Sequence, residues 1–399
     1  MPHMRRMDII MTRTAGLAHL AEIMPRLGRS YAATRNTDRG VGHRATTSVL
    51  SPYLRHRLLT EQEVVAAAQE NHGEGASKFV EEVFWRTYFK GYLETRPGIW
   101  DDYGRRVAEG RARVAANSGL RRVYEDAIAG RTGIDGFDDW ARDIVAQNWL
   151  HNHARMWFAS IWIFTLKLPW ALGADFFMQH LLDGDPASNT LSWRWVAGLH
   201  TRGKNYAARA ENIRRYTDGR YDPHGLDEDP VALDEPEPAP ARPMPATGGA
   251  PTGDVALLLH VDDLHPESLA MAGARVMRVA GYVAHHDSAS GPVRAADQAA
   301  MDDALARAAQ HFGCDAAPAS PGWEGGLPVV AAWAPVGPSA AALPECLRVR
   351  RRWDGLVWPK STRGYFQVKA IIPKVMAAGA DFHGGPQLGA RNDTQAMMG

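Results

Sequence analysis

The 399-residue sequence contains only two cysteines, Cys314 and Cys346. Two cysteines are too few for a disulfide framework, a four-cysteine zinc site or a four-cysteine iron–sulfur cluster, and they are typical of a reducing compartment. The sequence also lacks a long apolar run, because Lys167 and Pro169 interrupt the longest one, residues 156–172.

The first residues lack the apolar core of a signal peptide, since Asp8 and Thr12 interrupt their apolar side chains. Together with the missing membrane span, this predicts a cytoplasmic protein that does not bind a membrane. The two cysteines imply no structural metal.

The chain has no net charge, with 45 basic and 45 acidic side chains. Taken alone, this neutrality argues against a polyanion-binding protein. The zero net charge arises, however, because the two halves carry opposite charges. Residues 1–220 contain 31 basic and 24 acidic side chains, and the remaining residues have an equal excess of acidic side chains. The first half is therefore the part that can face a polyanion.

Composition divides the chain into unlike segments. Residues 1–225 have helical apolar spacing, and residues 226–253 are rich in Pro, Ala, Gly and acidic residues, which predicts a linker. In residues 254–380 short apolar runs alternate with helical segments, including a predicted helix at 266–274, which indicates a parallel sheet. We expect an α plus α/β multidomain fold ending in a disordered tail, residues 381–399.

The segment TTSVLSPYL places the hydroxyls of Thr47, Ser48 and Ser51 just before a predicted helix. Hydroxyls and the free N–H groups of a helix start bind phosphate oxygens. An ordinary helix cap is the alternative interpretation.

In EEVFWRTYF, Glu82, Trp85 and Arg86 have helical spacing and lie on adjoining parts of one face. An indole that stacks and a carboxylate that bonds a base edge suit a nucleobase. A surface helix with an ion pair and a half-buried tryptophan is the alternative.

The third motif, HNHARM, contains two histidines that a metal site would need on the same face. On a helix His151 and His153 point in roughly opposite directions, so they cannot chelate one ion. Asn152 and Arg155 do share a face.

In order, spacing and residue type these motifs, together with LLDGDPASNTLSWRW, resemble the helical FAD-binding domain of DNA photolyases and cryptochromes, over roughly residues 25–225. The resemblance implies non-covalently bound FAD. The residues that match its FAD site are Tyr31, Thr47, Ser48, Leu50, Ser51, Arg86, Asn152, Arg155, Asp183, Asp185 and Asn189. Val49 stands where many members carry arginine, so Arg35 or Arg44 is expected to compensate.

The same resemblance gives some of these residues a role. Tyr31 and the TTSVLS segment would hold the pyrophosphate, and Asp185 would lie near the ribose and the flavin ring. Arg155 would pair with Asp183 as a buried dipole that tunes the flavin, with a core salt bridge as the alternative. Asn189 would lie beside flavin N5.

Five residues match the lesion side of the family's pocket, namely Glu82, Trp85, Met156, Asn189 and Trp195. They imply catalysis of cyclobutane pyrimidine dimer repair, with the flipped lesion between two tryptophans. The identities of Met156 and Asn189 favour repair over signalling.

Trp193 and Trp170 match the flavin-proximal and middle members of the family's electron-transfer chain. The distal member has no motif, and Trp100 and Trp162 are the candidates. Packing in the core explains most of the other tryptophans.

Residues 254–283 resemble the first βαβ unit of the antenna domain that precedes the helical domain in ordinary photolyases. This implies an antenna-like, Rossmann-type domain placed after the helical one, with an unknown second chromophore. Residues 348–375 mix arginines with aromatics, which suits either nucleic acid or solvated charges around packed rings.

The sequence therefore predicts a photolyase-like lyase that repairs dimers in single-stranded or duplex DNA by blue-light-driven electron transfer from FAD. A cryptochrome-like photoreceptor, with a protein partner and without repair, is the alternative. The third hypothesis is a nucleic-acid-binding or protein-binding module that retains the fold but has lost the flavin chemistry.

Overall fold

The computed structural model describes residues 9–379, so the predicted tail lies outside the described residues. Its first part is rich in helix, as predicted. The helices are α1 (Arg13–Ile23), α2 (Arg29–Thr34), α3 (Ser51–Arg55), α4 (Glu61–His72), α5 (Ser77–Glu94), α6 (Gly98–Ala116), α7 (Ser118–Ile128), α8 (Phe137–Gln147), α9 (Asn152–Ser160), α10 (Trp170–His180), α11 (Pro186–Val196) and α12 (Ala210–Tyr216). No helix within residues 9–379 is both long and apolar enough to span a bilayer.

The second part contains a parallel sheet with the strand order β3-β2-β1-β4-β5. Its elements are β1 (Asp254–His260), β2 (Arg275–Tyr282), α13 (Gly291–Phe312), β3 (Ala316–Pro318), β4 (Val329–Ala332), α14 (Pro338–Ala342), β5 (Leu347–Val349), α15 (Arg352–Val357) and α16 (Phe366–Gly379). Apolar strand β1 lies at the centre, where both faces are covered. The predicted parallel sheet is confirmed.

The helix predicted between the first two strands is wrong. Only a 3₁₀ turn, Pro266–Ser268, forms there. Ala272 and Gly273 follow with φ of 49° and 87°, in the left-handed region that a right-handed helix excludes. The helix that covers this part of the sheet is α13, after β2.

The helical part (residues 9–225) and the sheet part (residues 254–379) share one apolar core. Helices α15 and α16 return to pack on α5, where the Trp353 ring lies 4.6 Å from that of Phe84 and its Nε1 donates to Thr87 Oγ1 at 2.9 Å. A second core, confined to the helical part, is built around four fully buried tryptophans, Trp140, Trp157, Trp162 and Trp193. The division into domains at the predicted boundaries stays a prediction.

Residues 226–253, the strap, follow an extended path across the helical part. Backbone hydrogen bonds hold it, from Leu233 N to Ala197 O at 2.9 Å and from Arg242 N to Thr95 O at 2.8 Å. The segment predicted as a linker therefore makes specific contacts along its length.

A buried ionic network joins the two parts at Arg57, whose side chain is 1% exposed. Its guanidinium pairs with Glu61 at 3.1 Å in the helical part, and with Asp263 at 3.2 Å and Asp354 at 2.7 Å in the sheet part. Burial alone would lower the pKa of Arg57, but these carboxylates raise it well above its ordinary value. The guanidinium is thus held charged by groups from both parts.

Arg55 extends the network. Its Nη1 pairs with buried Asp262 after β1, and its Nε donates to Gly184 O at 2.8 Å, between α10 and α11. His56 lies between the two arginines and contacts Val261 O through Nδ1 at 2.8 Å. The C-terminal end of α3 therefore positions both the loop after β1 and the turn between α10 and α11.

We predict that Arg57→Met lowers the free energy of unfolding by about 3–5 kcal/mol, because it leaves buried carboxylates without their cation. Denaturant unfolding followed by circular dichroism measures this loss. The matched control is Arg275→Met, which breaks an exposed pair with Asp254 and should leave the unfolding free energy nearly unchanged. Equal losses in both variants would contradict a structural role for the network.

Candidate functional site

Arg155 on α9 and Asp183 before α11 form a close ion pair, as the sequence predicted. Arg155 Nη2 lies 3.0 and 2.9 Å from the two carboxylate oxygens, and its Nε donates to Leu150 O at 2.9 Å. Burial raises the pKa of Asp183, but Arg155 and a hydrogen bond from Ser51 bring it below its ordinary value. This ionised carboxylate thereby connects α3 to α9.

Asp185 caps α11 and meets two cations from α5. Its Oδ1 accepts from Ser188 N at 2.7 Å, and its Oδ2 lies 3.7 Å from Lys90 Nζ and 3.9 Å from Arg86 Nη1. Burial raises the pKa of Asp185, yet Lys90 and the two nearby arginines, Arg86 and Arg55, lower it far below its ordinary value. The carboxylate is ionised in a buried cationic setting.

Lys90 was missed by the sequence reasoning. Its side chain is fully buried, and its Nζ lacks a hydrogen-bond partner. Burial lowers the pKa of Lys90 more than Asp185 raises it. The available signal was a lysine on the apolar face of α5, one turn after Arg86, where a charge needs a buried partner.

The predicted phosphate-binding segment precedes α3 in a strained conformation. Val49 has φ of 51°, which is an outlier for a β-branched side chain. Ser48 Oγ lies 3.4 Å from Leu50 N, and Leu50 is completely buried. The hydroxyl of Thr47 is buried without a hydrogen-bond partner in the protein.

Neither arginine expected to compensate for Val49 is free of protein contacts. Arg35 Nε lies 3.3 Å from Glu82 Oε1, and Arg44 lies over the Trp149 ring at 4.8 Å. Burial raises the pKa of Glu82 more than Arg35 lowers it. The Tyr31 ring packs edge-on against Phe79 on α5, 5.5 Å away.

Each predicted lesion-side tryptophan has an aromatic neighbour of its own. Trp85 is stacked on Tyr365 with 3.7 Å between ring centroids and 9° between planes, and Tyr365 Oη donates to Glu81 O at 2.8 Å. Trp195 lies against Tyr206 at 5.6 Å. Tyr365 comes from the sheet part, and no motif in the sequence indicates this stack.

The remaining site residues lie on α9 and α11. Asn152 is the first residue of α9 and is exposed, whereas Met156 is half-buried one turn later. Asn189 donates through Nδ2 to Ala174 O at 2.8 Å, which anchors α11 to α10.

The predicted electron-transfer tryptophans belong to separate ring contacts. Trp193 meets Trp162 edge-on at 6.3 Å. Trp170 lies 6.2 Å from Tyr103, which stacks on half-buried Trp100 at 5.0 Å. Both candidates for the distal position therefore touch an aromatic path, and Tyr103 is a member that the sequence reasoning did not name.

The arrangement suits an anionic, heterocyclic cofactor. Thr47 Oγ1, Arg86 Nη1 and Lys90 Nζ are buried donors without hydrogen-bond partners in the protein, and they lie on the segments that the ion pairs of Asp183 and Asp185 hold together. Such donors bind phosphate and ring acceptors well when water is excluded. The site is thus that of a cofactor-binding protein.

Part of the chain is similar to known proteins. Residues 79–226 match the family described as the FAD binding domain of DNA photolyase. The deoxyribodipyrimidine photo-lyase of Streptomyces griseus is 33% identical over 184 residues, 42% of this chain and 38% of the relative. That of Thermus thermophilus is 31% identical over 231 residues, 58% of this chain and 52% of the relative. This chain spans about half or less of the length of these relatives.

Solved structures give weaker overlaps. A class III photolyase from Agrobacterium tumefaciens has a TM-score of 0.40 at 23% identity, covering 51% of this chain and 44% of the other. A cryptochrome from Synechocystis has a TM-score of 0.42 at 23% identity, covering 52% and 43%. The matched segment, residues 79–226, is thus similar to the FAD-binding domain of photolyases, and this similarity indicates FAD as the cofactor.

Acid is predicted to loosen α9 through His151, whose Nδ1 accepts from His153 N at 3.1 Å as the cap of that helix. Burial lowers the pKa of His151 from 6.5 to about 4. The unfolded chain therefore takes up a proton more readily than the folded one in this range, and stability is lost as the pH falls from about 6.5 to 4.

We expect His151→Asn, which retains a capping side chain, to reduce the loss of unfolding free energy between pH 7 and pH 4.5 by about 2–3 kcal/mol. Denaturant titrations at both pH values measure it. His311→Asn, at an exposed position, is the matched control and leaves the pH dependence unchanged. The same pH dependence in wild type and His151→Asn would refute the assignment.

Proposed function

We propose that this chain repairs cyclobutane pyrimidine dimers in DNA by blue-light-driven electron transfer from FAD. The observation that carries the proposal is the pair of buried, ionised aspartates, Asp183 and Asp185, each held by cations inside the segment that matches the FAD-binding domain. The lesion-side residue types of a repair enzyme accompany this pair on α5, α9 and α11.

Residues from five segments would hold the cofactor. They are Tyr31, Thr47, Ser48, Leu50, Ser51, Arg86, Asn152, Arg155, Asp183, Asp185 and Asn189. To this set we add Lys90, whose buried ammonium neutralises Asp185. A bound, reduced FAD would supply light-driven one-electron chemistry to the dimer.

The protein's contribution is position and electrostatics. The Arg155–Asp183 pair is a fixed dipole in a water-poor setting, where such charges act strongly and do not have to reorganise. The strained turn at Val49 fixes the hydroxyls of Thr47 and Ser48 before any ligand binds. The site is therefore organised in advance by ion pairs and backbone geometry.

On the substrate side, Trp85 and Trp195 would stack against a flipped dimer, with Met156 beside it. Glu82 would hydrogen-bond the lesion and stabilise the negative charge that it receives. Because burial raises the pKa of Glu82, its carboxyl takes up a proton more readily and can then act as a donor. DNA would dock on the helical part, whose basic excess predicts a salt-dependent affinity.

Trp193 and Trp170 would carry electrons toward the cofactor from the surface. The ring contacts suggest continuation through Trp162 beside Trp193, and through Tyr103 to Trp100 beside Trp170. The sheet part would correspond to an antenna-like domain, with its second chromophore unspecified.

A cryptochrome-like photoreceptor is the second candidate, and the stack of Tyr365 on Trp85 favours it. This stack occupies one face of a ring that a lesion would need. In that case Tyr365 and Trp85 would belong to an output surface for a protein partner, without repair.

The two candidates differ in a direct assay. Reduced full-length protein is incubated with an oligonucleotide containing one thymine dimer, in blue light and in darkness. We expect light-dependent restoration of thymines, reduced at least tenfold by Trp85→Ala and little affected by Trp323→Ala in the sheet part. Flavin-loaded protein that leaves the dimer intact in light would refute repair and favour the photoreceptor.

FAD binding itself is tested by Thr47→Val. Because the Thr47 hydroxyl has no partner in the protein, its removal should weaken FAD binding about 5- to 30-fold with little change in the stability of the FAD-free protein. Calorimetric FAD titration and thermal unfolding measure the two effects.

Thr46→Val is the matched control, since Thr46 Oγ1 donates to Thr37 O at 2.8 Å. It should destabilise the protein by about 1 kcal/mol and leave FAD affinity unchanged. The reverse pattern, with Thr46 affecting FAD and Thr47 affecting only stability, would contradict the proposed contact.

A further inference from the structure

The strap is strongly acidic and stiff. Residues 226–253 contain six Asp or Glu, a single arginine and seven prolines. Proline-rich segments favour extended conformations and lose little entropy on being held straight. The strap is therefore a preformed, extended polyanion that lies on the more basic part of the chain.

Its carboxylates are bound to cations of the helical part. Glu235 is the central contact: its Oε1 lies 2.9 Å from Arg106 Nη1 and accepts from Trp170 Nε1 at 3.0 Å, and its Oε2 lies 3.7 Å from Arg194 Nη1. Near the start of the strap, Asp227 pairs with Lys167 at 2.8 Å.

Arg202 is the most accessible of the arginines that pair with the strap. It pairs with Asp234 at 2.8 Å and with Glu237 at 3.2 Å, and the three side chains are 57%, 87% and 76% exposed. Exposed ion pairs of this kind contribute little net stability and weaken with salt. A competing polyanion can therefore replace them.

The strap does not pack tightly on the surface that it covers. A cavity of about 290 Å³ lies beneath it, lined by Tyr92 and Arg96 at the end of α5, by Arg194 and His200 at the end of α11, and by strap residues 233–241. These are the helices that carry Trp85 and Trp195. The covered surface thus adjoins the proposed lesion side.

Charge at this surface is basic once the strap carboxylates are set aside. Burial lowers the pKa of His200 to about 4, with Arg194 and Arg96 adding to the effect, so the imidazole is neutral at physiological pH. Arg96, Arg106, Arg194 and Arg202 remain as the cations, although Arg106 also pairs with Asp102 at 2.6 Å. Arginine side chains beside the aromatic ring of Tyr92 are the composition that binds a single-stranded nucleic acid backbone and its bases.

We propose that these four arginines form a surface for the phosphate backbone of single-stranded DNA, and that the acidic strap is its internal competitor. DNA binding would displace the strap carboxylates from Arg202 first and from Arg106 and Arg194 afterwards. The inference rests on the proposed function only for the identity of the polyanion, because the competition itself follows from the ion pairs.

The test compares full-length wild type with Asp234→Asn/Glu235→Gln/Glu237→Gln. Fluorescence anisotropy with an undamaged, labelled 16-nucleotide oligothymidylate measures affinity over a range of salt concentrations. We expect at least fivefold tighter binding by the triple variant at low salt, and a steeper salt dependence by about one released counterion or more. Adding Arg202→Gln should remove most of this gain.

The matched control neutralises three carboxylates of the sheet part, Asp315→Asn/Glu324→Gln/Glu345→Gln, and changes the net charge equally. It should alter affinity less than twofold. Equal gains in both triple variants, no gain in the strap variant, or no binding by any of them up to about 100 µM would overturn the proposal.

The double variant Asp234→Asn/Glu237→Gln safeguards the test against misfolding, because both side chains are largely exposed. It should bind the oligonucleotide at least twofold more tightly than wild type does. A folded double variant that binds no more tightly than wild type overturns the proposal. Because the probe is undamaged, this result does not depend on repair. If the strap variant binds DNA more tightly but the protein does not repair dimers, only the proposed function is contradicted. If the protein repairs dimers but the strap variant binds no more tightly, only the competition by the strap is contradicted.

Discussion

The pairing of Arg55 and Arg57 with Asp262, Asp263 and Asp354 is the interaction on which the rest of the structure depends. Buried charges of this kind tolerate little displacement, since each loses its solvation and keeps only its partner. Arg55 also donates to Gly184 O, in the turn between Asp183 and Asp185. The contact that joins the two parts thereby also positions both carboxylates of the candidate site.

Packing between distant parts of the chain adds to this ionic contact. The last described helices, α15 and α16, pack on α5, and Tyr365 reaches the ring of Trp85. One apolar core includes side chains from both ends of the described chain. What fixes the arrangement is the set of buried charges and this common core, and the strap is long enough to connect the two parts.

Much of the site could be predicted because its residues occur in short local motifs. Asp183, Asp185 and Asn189 lie within seven residues of each other, and helical spacing places Asn152 and Arg155 on one face. The parallel sheet could be predicted for a similar reason, since β1 is a nearly continuous apolar run. The helix expected after β1 was wrong because periodicity did not register the left-handed turn at Ala272 and Gly273.

Long-range contacts could not be predicted in this way. Lys90 belongs to the site only because α11 brings Asp185 to it, and Tyr365 meets Trp85 from 280 residues away in the sequence. The strap carboxylates looked like a solvated linker, since nothing local indicates which arginines they meet. The chemistry of the side chains could be predicted from the sequence. Which distant residues contact each other became clear only from the fold.

We propose that the ion-paired aspartates of the helical part, together with its donors that lack hydrogen-bond partners, form a preorganised FAD site. Titration of the FAD-free full-length protein with FAD, followed by isothermal calorimetry and by quenching of flavin fluorescence, tests it most directly. We expect saturable binding of one FAD per chain. Protein that is folded by circular dichroism yet produces neither heat nor quenching with excess FAD would contradict it.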